Sequence, residues 1–357
     1  MFGIYFKPTE RCNLACKHCY VPENKRQGGT TFLSLDNALN ILRKIEQYFG
    51  SKGQKVRILF HGGEPMLTGV DFYKEIYKEF GSSNWLTFSI QTNLTLYSHV
   101  WDEVFEHLFN GYAGTSFDLT RRTVYGYSDF LAKWEDSFRK FTEKFKASVE
   151  ITVSKKFFDW SVSDWVNFML THKANAFSFG WYSDIQGNSD LFVNYDSYLD
   201  FLMSLSTELL QRGLPVYFKQ IQGMFGLSYN PVEKKYMYSP ESTCMFSTFC
   251  GDNHIVINPD GTVGICPALS ANNFTIGNIY EQTMEDILNS PERQRFILFQ
   301  KTPDEECVSC RYLGVCNCGC PVLRKSGLLL RKKCVEFFSF FESLADKLLE
   351  DGYACLR

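Results

Sequence analysis

The sequence predicts an α/β protein: a partial (β/α)6 barrel of the TIM-like kind, followed by a cysteine-rich domain and a closing C-terminal helix. Two observations predict this architecture. Over the first ~230 residues, short apolar runs with strand character alternate with segments of helical periodicity. From about residue 240 that alternation stops, and cysteines become dense between residues 307 and 334. Strand–helix alternation favours parallel strands joined by right-handed crossovers.

The barrel elements follow from local patterns taken in chain order. Strands are predicted where β-branched and aromatic residues cluster between turn residues. Helices are predicted where apolar residues recur at helical spacing between a polar cap and a glycine. The predicted strands are "GIYFKPT", "KVRILFHGG", "LTFSIQTN", "GYAGTSFD", "SVEITVS" and "AFSFGW". The predicted helices are "SLDNALNILRKIEQYFG", "GVDFYKEIYKEFG", "HVWDEVFEHLF" and residues 128–146, 160–171 and 195–212.

The C-terminal region is predicted from one hairpin and one helix. The segment "HIVINPDGTVGIC" predicts a hairpin with a Pro-Asp-Gly turn. The tail "VEFFSFFESLADKLLEDGYACL" has the periodicity of an amphipathic helix that closes the fold. We therefore expect a barrel domain over residues 1–235, a cysteine-rich domain over 236–335 and a C-terminal helix over 336–357.

Composition and charge narrow the class of protein. The formal net charge of −3 does not indicate the positive electrostatic potential with which proteins attract nucleic acid. No apolar run approaches the length of a membrane span, and the opening "MFGIYFKPTE" is too short for a signal peptide. We therefore predict a cytoplasmic protein with no nucleic-acid or membrane partner. In such a reducing compartment the 13 cysteines point to metal ligands rather than disulfides, although scattered ones can be small buried hydrophobes.

Polar motifs follow four successive predicted strands. A three-cysteine loop follows the first strand, "GGEP" follows the second, "QTN" ends the third and "SFD" ends the fourth. In barrels of parallel strands, functional groups gather at the carboxyl ends of the strands. The positions of these motifs therefore predict one shared pocket, whatever the identity of the motifs.

The loop after the first strand, "RCNLACKHCY", carries Cys12, Cys16 and Cys19 with no fourth cysteine nearby. A closed zinc site or an ordinary cubane cluster takes four protein ligands, so three thiolates leave one metal position open for chemistry. The C-x3-C-x2-C spacing resembles the radical S-adenosylmethionine (SAM) superfamily. That resemblance implies a [4Fe–4S] cluster whose fourth iron chelates SAM, and reductive cleavage of SAM to a 5′-deoxyadenosyl radical. The alternative is an incomplete zinc site.

The segment "GGEP" resembles the methionine-binding motif of the same superfamily. Gly62 and Gly63 allow a close backbone approach to a ligand. The resemblance implies that the Glu64 carboxylate can meet the methionine ammonium. Taken alone, the segment is an ordinary turn.

Four further residues match polar positions of the superfamily. Asn93, Ser116 and Asp118 match positions that contact SAM or the neighbouring substrate in relatives. His18 stands where relatives usually carry an aromatic residue whose backbone meets the adenine. The resemblance therefore adds these four to the predicted SAM-binding residues. Their alternative role is structural, since short polar residues are common at strand ends and His18 suits an ordinary loop.

The spacing of the C-terminal cysteines is the second signal. Cys250 is followed by ten residues, Gly261, four residues and Cys266. A C-x2-C-x5-C-x3-C run then begins at Cys307, and Cys334 follows it. This order resembles the SPASM domain of radical SAM peptide and protein maturases. A pair of zinc ribbons is the alternative, because the C-x2-C-x5-C-x3-C run alone suits zinc.

The SPASM resemblance implies two fully ligated auxiliary [4Fe–4S] clusters. It assigns the first cluster to Cys244, Cys250, Cys266 and Cys320. It assigns the second cluster to Cys307, Cys310, Cys316 and Cys334. Cys318 and Cys355 remain, and we interpret both as structural or incidental.

The resemblance covers nearly the whole chain and implies a function. It implies an enzyme with three [4Fe–4S] clusters and SAM that oxidatively modifies or crosslinks a side chain of a ribosomal peptide or protein. The auxiliary clusters accept the remaining electron. The implied partners are that peptide or protein, an electron donor such as flavodoxin or ferredoxin and, as one option, a separate leader-binding protein. The alternatives are a dehydrogenase of a small sugar or cyclitol alcohol and a non-catalytic iron–sulfur redox protein.

Two features bear on the substrate. Sulfatase maturases carry an acidic residue directly after the cysteine that corresponds to Cys266, whereas this sequence has Pro267. That departure argues against formylglycine formation. We also expect no leader-binding winged-helix domain, because little chain precedes Cys12 or follows Cys334. Residues 177–190, "FSFGWYSDIQGNSD", are candidates for lining a substrate cleft, or else they are packing and loop residues.

Overall fold

The structure is a computed structural model that describes residues 1–29, 32–120, 130–182, 189–214, 217, 227–230, 235–238, 249–271, 274–325 and 334–350. Two cysteines of the sequence analysis, Cys244 and Cys355, lie outside these residues, as do residues 183–188 of the candidate substrate segment 177–190. In the described part of the chain, no helix combines the length and apolar character needed to cross a bilayer.

Strands and helices alternate through the first part of the chain, as predicted. The strands are β1 (Phe2–Thr9), β2 (Val56–Gly62), β3 (Leu86–Thr92), β4 (Tyr112–Phe117), β5 (Lys146–Val153), β6 (Ala176–Trp181), β7 (Leu227–Asn230), β8 (Lys235–Tyr238), β9 (His254–Ile257), β10 (Thr262–Gly264) and β11 (Gly277–Asn278). The helices of the alternating region are α1 (Leu35–Ser51), α2 (Val70–Phe80), α3 (Asp102–His107), α4 (Phe130–Thr142), α5 (Val162–His172) and α6 (Tyr195–Gln211). Those of the C-terminal region are α7 (Cys250–Asn253), α8 (Pro267–Ala271), α9 (Met284–Leu288), α10 (Pro291–Lys301), α11 (Leu313–Cys316), α12 (Pro321–Lys325) and α13 (Cys334–Glu350).

The chain divides into two compact units that are interleaved along the sequence. The first contains Met1–Val149, Ile185–Asn188 and Cys250–Ile297. The second contains Glu150–Asp184, Ser189–Phe249 and Leu298–Arg357. The domain boundaries at 1–235, 236–335 and 336–357 rest on where strand–helix alternation stops and cysteines become dense in the sequence. They stay a prediction.

A mainly parallel sheet forms the centre of the first unit, in the order β11-β10-β9-β1-β2-β3-β4. Neighbouring strands place like residues side by side: Phe6 of β1 lies opposite Phe60 of β2, and Phe60 lies opposite Ile90 of β3. All three side chains are buried. The rings of Phe60 and Tyr73 from α2 pack edge to face at 5.1 Å. In β2 and β3 the buried apolar residues alternate with less buried ones, so each strand turns one apolar face toward the core of the unit.

The hairpin predicted from "HIVINPDGTVGIC" is present, and it joins the main sheet. Strand β9 pairs with β10 in antiparallel fashion and with β1 in parallel fashion. Gly261 makes the turn with a φ of 81°, a backbone conformation that glycine adopts without steric cost. Because β9 covers the edge of β1 opposite β2, this part of the cysteine-rich region belongs to the same sheet as the barrel strands.

The second unit packs aromatic side chains between β6, α5 and α6. Trp165 of α5 stacks on Phe157 with ring centroids 4.2 Å apart, and Phe201 of α6 meets Phe157 at 4.5 Å. Helix α5 begins with a reciprocal capping box between Ser161 and Asp164, which satisfies backbone donors at its first turn. Phe179 of β6 meets Phe201 at 5.6 Å, so β6 and α6 pack together. Tyr195, the first residue of α6, lines a cavity of this unit that also contains cysteines.

The predicted α/β class with parallel strands is confirmed, and three details differ. The helix predicted over 128–146 ends at Thr142, because the chain must turn into β5 at Lys146. The helix predicted from "HVWDEVFEHLF" is a 3₁₀ turn (His99–Trp101) followed by the short α3. The antiparallel pair β7–β8 was not predicted from the sequence.

Candidate functional site: the SAM loop and the cysteine centres

The three-cysteine loop connects β1 to α1 in the first unit. Cys16 is buried, and Cys12 and Cys19 are half-buried. The Cys19 amide donates to the Cys16 carbonyl at 3.3 Å, and the Cys12 amide donates to the Arg26 carbonyl at 3.0 Å. Burial raises the pKa of the Cys12 thiol, and the neighbouring Cys16 thiol raises it further. The structure therefore brings three thiols of one loop within interaction range, which fits three of the four ligands of a cubane cluster.

Gly62 and Gly63 pack their backbone against the chain that enters the cysteine loop. The Gly63 amide donates to the Thr9 carbonyl at 3.0 Å, and the Glu64 amide donates to the Arg11 carbonyl at 2.8 Å. A Cβ atom at Gly63 would lie 2.1 Å from the Arg11 carbonyl oxygen, and one at Gly62 would lie 2.2 Å from the Thr9 carbonyl oxygen. Glycine is therefore required for the two loops to touch.

A Gly63→Ala variant is expected to release 5′-deoxyadenosine from SAM roughly 10²-fold more slowly, because its new methyl must displace backbone of the cysteine loop and small misplacements of reacting groups carry costs of that size. Gly69→Ala is the matched control: its φ is 88°, but no atom lies within 4 Å of the added Cβ. Its ψ of 157° places Gly69 in a backbone region nearly restricted to glycine, so the change costs about 1–3 kcal/mol of stability. It should leave the rate of release close to wild type, because the added methyl meets no other atom. Equal rates for the two variants would contradict the steric argument.

The Glu64 carboxylate is fully buried, and the donors to it include three groups of neighbouring residues. Its Oε1 accepts from the Met66 amide at 2.9 Å and from the Thr92 hydroxyl at 2.7 Å. Its Oε2 accepts from the Asn93 amide at 2.8 Å. Both oxygens thus tie the loop after β2 to the end of β3. The sequence analysis predicts that this carboxylate contacts the ammonium group of the methionine part of SAM, and that contact stays a prediction.

Asn93 extends the same network to the cysteine loop. Its amide Nδ2 donates to Asn13 Oδ1 at 2.8 Å and lies 3.9 Å from Cys12 Sγ. Its Oδ1 accepts from the Thr95 hydroxyl at 2.6 Å, and Asn13 Nδ2 donates to the same hydroxyl at 2.8 Å. A continuous hydrogen-bonded path therefore runs from Glu64 through Asn93 to the first cluster cysteine.

The structure also brings His18 and Asp118 together. His18 Nδ1 lies 2.8 Å from the Thr120 hydroxyl and 3.4 Å from Asp118 Oδ1. The Thr120 hydroxyl and amide both donate to that Asp118 oxygen, at 2.6 and 2.7 Å. Ser116 lies on β4 and accepts from Gln91 Nε2 of β3 at 2.9 Å. The end of β4 thus faces the cysteine loop, although contacts of these residues with SAM stay a prediction.

Two charged residues at the end of β1 and one in the cysteine loop were missed by the sequence analysis. Lys7 is fully buried, with its Nζ 3.4 Å from Glu10 Oε1, and Lys25 Nζ lies 3.0 Å from Glu10 Oε2. Burial lowers the pKa of the Lys7 ammonium, which Glu10 partly opposes. The Lys7 ammonium also acts electrostatically on the Cys266 thiol of the same unit. The sequence signal that could have revealed this buried charge is the lysine that stands after three apolar residues in "IYFKPT".

A half-buried tyrosine–histidine pair lies beside these charges. The Gly62 amide donates to His61 Nδ1 at 2.7 Å, so that nitrogen is an acceptor and the ring carries its proton on Nε2. The Tyr20 hydroxyl therefore donates to the same nitrogen, at 3.0 Å. Burial, assisted by the Lys7 ammonium, lowers the pKa of His61 to about 4. His61 is consequently neutral at physiological pH.

Four of the C-terminal cysteines predicted as ligands meet in the second unit. Cys307, Cys310, Cys316 and Cys334 line one cavity of about 510 Å³. That volume lies within the range of cofactor-sized cavities. Within the described ranges, no group of three or more His, Cys, Asp or Glu residues is arranged to hold a single metal ion. A donor set of thiols around a volume much larger than one ion fits an iron–sulfur cluster.

The other four predicted ligands are distributed differently. Cys250 and Cys266 belong to the first unit, Cys320 belongs to the second, and Cys244 lies outside the described residues. Burial raises the pKa of the Cys266 thiol, at the end of the β9–β10 hairpin. The shared cluster of these four cysteines stays a prediction.

Comparison with known proteins agrees with this site. Residues 6–168 match the radical SAM superfamily, and residues 244–311 match the SPASM iron–sulfur cluster-binding domain. A cysteine-type anaerobic sulfatase-maturating enzyme of Clostridium novyi is 26% identical over 97% of this chain and 96% of its own length. A serine-type enzyme of Bacteroides thetaiotaomicron is 23% identical over 94% of this chain and 87% of its own.

Solved structures show the same fold. The structure of native anSMEcpe with bound AdoMet has a TM-score of 0.79 at 22% identity and covers 99% of both chains. Streptococcus suis SuiB bound to the precursor peptide SuiA has a TM-score of 0.62 at 18% identity, over 91% of this chain and 73% of that one.

The fold and the cysteine loop define a radical SAM enzyme. The chain carries a radical SAM domain followed by a SPASM domain, as the sequence predicted. These domains imply a SAM-binding [4Fe–4S] cluster together with auxiliary clusters. Cys12, Cys16 and Cys19 are the residues that would hold the first, and the cavity of the second unit offers thiols for an auxiliary one. When bound, the first cluster supplies the electron that cleaves SAM.

Proposed function

We propose that this enzyme oxidatively modifies or crosslinks a side chain of a ribosomally made peptide or of a protein. The observation that carries the proposal is the similarity to sulfatase-maturating enzymes along nearly the whole chain. Peptide-bound structures among the neighbours, anSMEcpe with a Cp18Cys peptide and SuiB with SuiA, add support. A reducing, oxygen-poor cytoplasm suits thiol-held clusters. A flavodoxin-like or ferredoxin-like donor and a separate leader-binding protein belong to the same proposal.

The kind of oxidation is narrowed by Pro267, which directly follows Cys266. Pro267 begins the short helix α8, a position that favours proline because its missing amide proton would have no partner there. A proline side chain cannot accept a proton, unlike the acidic residue that sulfatase maturases carry at this position. We therefore propose crosslinking, or another oxidation that needs no base at this position, in preference to formylglycine formation.

The test is an anaerobic assay of the full chain after cluster reconstitution. SAM and a strong reductant are supplied with either a sulfatase-derived peptide or the short peptides encoded near the gene. We expect a cognate peptide to raise 5′-deoxyadenosine release and to lose the mass of two hydrogens, with the new bond located by tandem mass spectrometry.

Two further readouts distinguish the proposal from its alternatives. The sulfatase-derived peptide should yield no aldehyde that reacts with a hydrazine. Release of 5′-deoxyadenosine coupled to oxidation of a sugar or cyclitol alcohol, with no turnover of any peptide, would overturn the proposal in favour of a small-molecule dehydrogenase.

A further inference from the structure

The cavity of the second unit is lined by five thiols, one more than a four-iron cluster needs. Besides Cys307, Cys310, Cys316 and Cys334, its lining includes Cys318. The sequence analysis interpreted Cys318 as structural or incidental. Its side chain is buried, with 4% of its surface exposed. Proximity to the predicted ligands makes it a candidate for the same site.

The backbone at Cys318 is strained in a way that its neighbours are not. Asn317, Cys318 and Gly319 have φ angles of 51°, 63° and 74°, three successive residues in the left-handed region. Glycine adopts that region freely, and asparagine tolerates it. A cysteine there costs free energy that a glycine would not, and such strain points to a role for the side chain. The thiol is the feature that a glycine lacks.

Four of the five thiols belong to one short segment with its own backbone hydrogen bonds. The Cys310 amide donates to the Cys307 carbonyl at 3.0 Å, and the Cys316 amide donates to the Tyr312 carbonyl at 2.8 Å. The Gly319 amide donates to the Cys316 carbonyl at 2.8 Å, which holds the turn at Cys318. The fifth thiol, Cys334, comes from the first residue of α13. The local set of four is therefore built without α13.

The thiols of Cys334 and Cys318 both interact with the thiol of Cys316. The Cys316 thiol hydrogen-bonds to that of Cys334 and interacts electrostatically with Cys318 and Cys307. Among the described cysteines beyond residue 300, Cys320 is absent from the cavity lining. Cys318 is thus the thiol available beside Cys316 when Cys334 is removed.

We infer that Cys318 is a reserve ligand of the auxiliary cluster in this cavity, able to take the place of Cys334. On binding iron, the Cys318 thiol gives up one proton, and a departing Cys334 thiolate takes one up. One iron–sulfur bond forms as another breaks, and no electron is transferred. The inference concerns the ligands of an auxiliary cluster and goes beyond the proposed peptide chemistry.

The test measures iron in full-length protein whose Cys12, Cys16 and Cys19 are alanine, so that only auxiliary clusters can form. Anaerobic reconstitution with iron and sulfide should give about eight irons per chain. Cys334→Ser and Cys318→Gly should each keep about eight, because four thiols remain in the cavity. The double variant should fall to about four. Glycine is chosen at Cys318 because it removes the thiol and also relieves the strained φ.

Any one of four results would overturn the inference. Cys334→Ser alone could fall to about four irons or show the electron paramagnetic resonance signal of a [3Fe–4S] cluster after oxidation. The double variant could keep about eight irons. The parent protein could hold only about four irons and keep all of them in the double variant, which would remove the cluster from this cavity while leaving SAM cleavage and peptide modification open to their own assays.

A matched variant separates loss of the thiol from disturbance of the turn. Asn317→Gly combined with Cys334→Ser alters the same left-handed turn and keeps all four local thiols, so it should retain about eight irons. Circular dichroism of each variant checks the fold. The [3Fe–4S] measurement on Cys334→Ser keeps the inference testable even if the double variant does not fold.

Discussion

A variant in which Cys12, Cys16 and Cys19 are all alanine is expected to release no 5′-deoxyadenosine from SAM. These three thiols lie in one loop, within interaction range of each other and at the end of the Glu64–Asn93 hydrogen-bonded path. Without thiolates there, the cluster that binds SAM has no protein ligand and cannot deliver an electron to it. The measurement is 5′-deoxyadenosine by chromatography after anaerobic reconstitution and reduction.

The iron content of the triple variant shows whether only the SAM-binding cluster is lost. If the two auxiliary clusters form as predicted, iron should fall from about twelve to about eight per chain. Lys17→Ala is the matched control, because Lys17 is exposed in the same loop and lies next to Cys16 in the sequence. It should release 5′-deoxyadenosine as the wild type does. Undiminished release by the triple variant would refute the assignment of the loop.

Much of the catalytic site could be predicted because its signals are local. The spacing of Cys12, Cys16 and Cys19 and the "GGEP" segment are short motifs, and each follows a strand that its own residue pattern predicts. Parallel strands bring their carboxyl ends to one edge, so the motifs had to converge. The structure shows this convergence directly, because Asn93 contacts Cys12 and His18 contacts Asp118.

The remaining features depend on contacts between distant residues. The apolar run "HIVI" predicts a strand, but nothing local indicates that β9 pairs with β1, some 250 positions earlier. Likewise, the sequence places Glu64 at a strand end without revealing which donors its oxygens meet. Cys318 is a surplus cysteine in the sequence, and its proposed role depends on a backbone φ and a cavity that only the three-dimensional structure contains.

Replacing Glu64 by alanine is expected to lower the free energy of unfolding by about 3–5 kcal/mol. Three donors, the Met66 amide, the Thr92 hydroxyl and the Asn93 amide, would lose their acceptor. Hydrogen bonds to charged groups contribute about 1.5–3 kcal/mol each and do not add fully. Glu64→Gln keeps one acceptor oxygen and should cost less, about 1–3 kcal/mol. Urea unfolding of the cluster-loaded protein under anaerobic conditions measures both changes through the midpoint.

Glu79→Gln is the matched control for these two variants. Glu79 pairs with Arg43 on the surface, where solvent screens the ion pair, so the unfolding midpoint of this variant should barely move. The same samples distinguish two roles of Glu64. If the carboxylate braces the loop, stability and 5′-deoxyadenosine release fall together, because Asn93 loses the contact that positions it beside Cys12. If release is lost while the unfolding midpoint is unchanged, the carboxylate acts on SAM itself, and the bracing role derived from its three hydrogen bonds is wrong.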